Sequence, residues 1–186
     1  MKQVMKTVTF AAVSAFALAA CGGEAIDADA DGDGEVTQAE VANAAQQLGD
    51  DVKPQPGKYS STVEFVSAEI PGAPDEMIDI MRAAAGNSFE FCMTEEMAQE
   101  GFGEAMKSDQ DDSCTISKMT IDAGEMDMVM ACNPEGTGEV TVAMKGSVSP
   151  TSADITMVTE GSFGPMGEGK MEMNIKQTRI GDCDAE

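Results

Sequence analysis

Beyond Lys58 the alternation of apolar and polar residues has a period of two, broken twice by short helical stretches. "KYSSTVEFVSAEI" sets Tyr59, Val63 and Phe65 against Ser60, Thr62 and Glu64 and ends at Pro71-Gly72, the pattern of a strand with one buried face. "APDEMIDIMRAAAG" changes spacing: Pro74 and acids open it, Met77, Ile78 and Met81 share a side, and Gly86 closes it, which predicts a short helix. "NSFEFCM" returns to a strand, and Thr94 starts "TEEMAQEGF", whose acidic first turn predicts a second short helix. From Cys114 onward five strands are expected. The breaks between them are Asp122-Ala123-Gly124, Asn133-Pro134-Glu135-Gly136, Ser149-Pro150-Thr151-Ser152 and Gly164-Pro165-Met166-Gly167. Consecutive strands with short turns pair antiparallel. The expected class is mainly β (α+β): a curved antiparallel sheet of about seven strands, open or closed into a partial barrel, with two short helices at one side or end.

The first fifty residues follow other patterns. Residues 1–20 place Lys2 and Lys6 before an apolar, Ala-rich run from Val8 to Ala20 that is too short to span a bilayer and reads as an export signal. The run ends Leu18-Ala19-Ala20-Cys21, which resembles the lipobox of bacterial lipoproteins, in which the cysteine is lipidated and becomes the new N-terminus. With Gly22 and Gly23 next and no Asp, the resemblance implies an anchor in the outer membrane facing the periplasm. From Thr37, a narrow stripe of Val41, Ala44, Ala45 and Leu48 predicts a helix, stopped by Gly49. Two prolines between Lys53 and Gly57 make that stretch an extended linker. The expected organisation is a signal peptide over 1–20, a stalk over 21–52, a linker over 53–57 and a β domain over 58–186.

Charge narrows the partners. The whole chain carries 11 Lys and Arg against 34 Asp and Glu, a net charge of −23. Loss of residues 1–20 removes two lysines and no acid, leaving 9 basic residues and −25. Nucleic acid and anionic lipid are repelled by such a surface, while divalent cations are attracted. The chain has no His, which removes the usual general base and every Ser-His or Cys-His nucleophile, so an enzyme is not expected.

The stretch "DADADGDGEVTQAE" concentrates that charge in an ordered way. Starting at Asp29 it reads Asp29-x-Asp31-x-Asp33-Gly34-x-Val36-Thr37-x-x-Glu40, satisfying the pattern of an EF-hand calcium loop at every specified place. Calcium takes six to eight oxygens. Asp29, Asp31 and Asp33 offer carboxylates, Glu35 its carbonyl, Thr37 a direct or water-mediated oxygen, and Glu40 two more from the first turn of the helix. Gly34 permits the sharp bend. An acidic spacer has no reason to place Gly34, Val36 and Glu40 at these offsets. The entering helix is truncated and no second loop is available to pair with Val36, so the expected affinity is weak, about 10⁻⁴–10⁻³ M. The other acidic cluster, residues 108–113, lacks the Gly and the terminal Glu and reads as a solvated loop.

Four cysteines lie in the β domain, Cys92, Cys114, Cys132 and Cys183, and allow three pairings. Cys114 and Cys132 stand equally far from Ala123, so a three-residue loop of Asp122-Ala123-Gly124, with Gly124 left-handed, sets them opposite each other in a hairpin. Cys92 is left for Cys183. An exported chain favours oxidation of both pairs.

Pro56-Gly57-Lys58-Tyr59 at the opening, spaced cysteines, Met-rich alternating strands and the closing Gly181-Asp182-Cys183 together resemble the secreted bacterial family catalogued as domain of unknown function 3617. The resemblance spans about residues 53–183 and implies no catalytic residues. Fourteen methionines follow residue 20, with Met126, Met128 and Met130 on one strand face and Met171 and Met173 on another. Core packing accounts for that spacing, since pliant Met fills irregular interiors and Trp is absent. Two other uses share the same faces: an apolar ligand on a Met-lined sheet, and thioether binding of copper(I). The leading expectation is a lipid-anchored, calcium-binding envelope protein with a non-catalytic β domain; its protein partner is unknown.

Overall fold

The computed structural model describes residues 25–86, 88–100, 114–133 and 138–184. The export signal, Cys21, the acidic cluster at 108–113 and the expected turn at 134–136 lie outside them. Among the described residues, β1 is Ile26–Asp27, α1 Gln38–Gln47, β2 Gly57–Glu69, α2 Asp75–Ala85, β3 Ser88–Met93, α3 Glu95–Glu100, β4 Cys114–Asp122, β5 Glu125–Cys132, β6 Val140–Ser149, β7 Ser152–Ser162 and β8 Glu168–Gly181. The eight strands form one antiparallel sheet in the order β1-β4-β5-β6-β7-β8-β2-β3. The sheet is open: β1 and β3 are its two edges and do not pair, so the partial barrel is not formed. The expected count of seven is exceeded by β1, a two-residue strand beside the acidic loop that is too short to show any alternation.

β4 to β8 run as the meander that the turn signals predict. The first turn differs from expectation. Asp122 pairs with Glu125, so the loop has two residues, Ala123 and Gly124, and both are left-handed with φ of 49° and 84°. A two-residue loop with positive φ at both centres matches the twist of the flanking strands. On that register alone Cys114 would miss Cys132 by one residue. A bulge between Ile116 and Lys118 takes up the extra residue, and Cys114 then sits directly opposite Cys132. The disulfides join Cys114 with Cys132 and Cys92 with Cys183, the second tying the edge strand β3 to the chain beyond β8.

Strand register aligns the methionines more fully than their spacing along the chain reveals. Met119, Met128, Met144, Met157 and Met173 are successive neighbours across β4, β5, β6, β7 and β8, and the row ends on Phe65 of β2. Met119, Met126 and Met128 are buried at 2–3 % exposure, which is the packing use of methionine. They belong to a cluster that also holds Ala28, Val36, Val41, Ala44 and Val52. The segment before the linker therefore packs onto the sheet and supplies the layer above β4 and β5. The linker is strapped down as well: the Gln55 amide donates to the Pro150 carbonyl at 2.8 Å, and the Arg179 guanidinium donates to the Pro56 carbonyl at 2.9 Å.

Candidate metal site and family

The acidic loop hangs between two anchor points on one strand. At its start, Ile26 and Asp27 pair with Ile121 and Thr120 of β4, and the Ala28 amide donates to the Met119 carbonyl at 2.9 Å. At its end, Val36 forms an isolated antiparallel bridge with Ile116, its amide 2.7 Å from that carbonyl. The partner that Val36 lacks in the sequence is thus β4 of the same chain. An apolar residue at this position drives the docking, since Val36 and Ile116 are 5 % and 2 % exposed.

Between the anchors the acids turn the backbone. Asp29 accepts from the Gly32 amide at 2.8 Å and, through its other oxygen, from the Gly34 amide at 3.1 Å. Asp31 accepts from the Asp33 amide at 3.2 Å and Asp33 from the Glu35 amide at 2.8 Å. Gly34 has a φ of 88°, the left-handed geometry that a side chain would oppose. The loop then enters α1 through a capping box: the Thr37 hydroxyl accepts from the Glu40 amide at 3.3 Å, while the Glu40 carboxylate accepts from the Thr37 amide at 2.8 Å. The Thr37 hydroxyl also donates to Glu40.

This arrangement brings Asp29, Asp31 and Glu40 together, with one oxygen of each within 4.8 Å of the others, and the trio could hold a metal ion. Asp33 stands outside that group, and Thr37 serves the helix cap. Sequence spacing suggests both as ligands because it reports offsets along the chain, not where the folded loop carries each oxygen. Hydrogen bonds from the Thr37 backbone and hydroxyl, and then from the Ala30 and Asp31 backbone, hold the Glu40 carboxyl below its ordinary value of 4.5, against the opposing effect of burial. Glu40 is therefore ionised at neutral pH and faces two other carboxylates, an arrangement that a cation relieves. A hard cation with oxygen preference fits this donor set, which contains neither nitrogen nor sulfur.

Two disulfides mark a chain that folds in an oxidising, extracytoplasmic compartment. Among the described residues no helix is long and apolar enough to cross a membrane. No curated protein and no solved structure matches the chain. A family model described as "Protein of unknown function (DUF3617)" matches residues 54–183, a stretch that begins inside the linker and ends on the last cysteine. With the cysteine pairs, the Met-lined strands and the Pro-Gly-x-Tyr opening all inside that match, the chain belongs to the DUF3617 family.

Proposed function

We propose that this is a lipid-anchored, non-enzymatic protein of the cell envelope, held at the outer membrane through Cys21, in which calcium at the acidic loop locks α1 onto the sheet. The observation that carries the reading is the convergence of Asp29, Asp31 and Glu40 at the point where a loop docked on β4 becomes a helix. Glu40 is both cap partner and candidate ligand, so an ion bound there ties the helix start to the loop. Asp33 and the Glu35 carbonyl complete the shell by a small turn of the loop, together with water. Weak binding suits a compartment rich in calcium, and the absence of His supports a role without acid-base chemistry.

The test is equilibrium dialysis of the purified protein against calcium from 10 μM to 10 mM. One ion should be retained with a Kd of about 10⁻⁴–10⁻³ M. Glu40→Gln should weaken retention at least tenfold with the fold intact by circular dichroism. Retention of no more calcium than the Asp29→Asn/Glu40→Gln double variant retains would refute the site. Incorporation of labelled palmitate at Cys21, lost in Cys21→Ala, tests the anchor separately.

A further inference from the structure

A cavity of about 170 Å³ lies between the sheet and the segments laid over it. Leu48 and Val52 beyond α1, Phe91 of β3, Met97 of α3, Ile121 of β4 and Ala153 of β7 are among the apolar residues of its wall, and no charged side chain lines it. These residues come from five separate parts of the chain, so the space is a product of the tertiary arrangement. It stands apart from the acidic loop and from the row of methionines across the strands. A second, polar space of about 300 Å³ shares Pro54 with it and carries Asp50, Lys53 and Glu95, so charged groups stop at that boundary.

The polar groups of the apolar wall are mostly engaged. The Tyr59 hydroxyl lies 2.8 Å from the Gln55 carbonyl and 3.0 Å from the Pro150 carbonyl, and the Ser149 and Ser152 hydroxyls lie 2.8 Å from each other. Gln177 is the exception, because its side-chain amide makes no hydrogen bond among the described residues. Directly opposite it in the β2 to β8 register, on the same face as Tyr59, is Ser61. Ser61 is 1 % exposed and its hydroxyl has no partner. Buried hydroxyls are nearly always paired, by protein, water or ligand. Two unpaired polar groups thus stand side by side on the sheet, Gln177 in the cavity wall and Ser61 next to it outside that wall.

We propose that this cavity binds a small neutral molecule, mostly apolar and bearing one hydrogen-bonding group, of about the size of a substituted benzene ring. Size sets the upper bound: an apolar protein cavity of about 150 Å³ accommodates benzene. Charge sets the class, because an uncharged wall in a chain of net charge −23 disfavours anions. Gln177, with Ser61 behind it, supplies the hydrogen bond that distinguishes a hydroxylated or carbonyl ligand from a hydrocarbon.

Protein labelled with ¹³C at the methionine methyls provides the readout, since Met93 and Met97 line the cavity and the other described methionines do not. The probes are p-cresol, toluene and 4-methylbenzoate. Saturable shifts centred on Met93 and Met97 are expected for the first two, with p-cresol binding about five- to tenfold tighter, and at least tenfold weaker binding for the anion. Ala153→Phe and Met97→Trp should each abolish binding by filling the space; the second alters a residue that is 41 % exposed and leaves the buried layer intact. Gln177→Leu should erase the preference for p-cresol and leave toluene unchanged. Absence of saturable shifts, shifts centred on Met119 to Met173, or binding that survives Met97→Trp would overturn the proposal.

Discussion

Replacing Val41 by Ala tests whether the segment before the linker is part of the fold. Val41 is 2 % exposed on the inner face of α1 and packs in the cluster with Ile116, Met119 and Met128. The change deletes two methyl groups at about 0.8 kcal/mol each, and the unfilled space adds about 1 kcal/mol, so the expected loss is about 2–3 kcal/mol. At about 2–4 °C per kcal/mol for a chain of this length, Tm should fall by about 4–12 °C. Urea denaturation followed by tyrosine fluorescence is a clean assay, since Tyr59 is the single tyrosine and there is no Trp. Tyr59 lies on β2, five strands from β4 in the sheet order. If α1 is integral, its midpoint falls together with the helical signal at 222 nm, with an unchanged urea slope. The exposed-site control Val66→Ala, at a residue 47 % exposed, should shift neither signal by more than about 0.5 kcal/mol. A Tyr59 midpoint identical to that of the parent protein, with the helical signal lost earlier, would show α1 to be an independent stalk and refute the packing argument.

Other expectations follow from single features. Ala123→Asn places the preferred residue at a left-handed position of φ 49°, and should raise stability by about 0.5–1 kcal/mol in thermal unfolding. Asp127 bonds Lys118 at 2.7 Å and Lys145 at 3.2 Å; the Lys118 hydrogen bond, then Lys145, holds its carboxyl below 3.8. A depressed folded-state value means that its contribution is complete above 3.8 and is lost as pH falls through the lower folded value. Asp127→Asn should therefore cost up to about 1 kcal/mol at pH 7, discounted for its half-exposed partners, and the gap to the parent should narrow in urea titrations at acid pH. Cys114→Ser with Cys132→Ser opens an 18-residue span and should cost up to about 3 kcal/mol by urea denaturation, while sparing the Cys92 link.

How much could be read from the residues varies with the feature. The meander was legible because each strand alternates and each turn carries Gly, Pro, Asn or Ser at a place that needs it. The pairing of Cys114 with Cys132 was legible from symmetry about Ala123, although the route differs: a shorter turn and a bulge at Ser117 replace the three-residue loop. The acidic loop was legible as a pattern of twelve positions. Its selection of Asp29, Asp31 and Glu40 over Asp33 was not, because which carboxylates converge depends on the path of the folded loop between its two anchors on β4 and not on spacing along the chain.

Chain-local chemistry accounts for what the residues alone determine here: strand period, turn placement, the cap at Thr37, the spacing of the candidate ligands and the charge that makes cations the fitting partners. Tertiary structure decides the docking of Val36 on Ile116, the alignment of five methionines across five strands, and the chamber beside Gln177 and Ser61. Alternation tells which face a side chain takes, whereas register between distant strands tells which side chain it meets, and register is settled only when turns, bulges and disulfides act on the whole sheet at once.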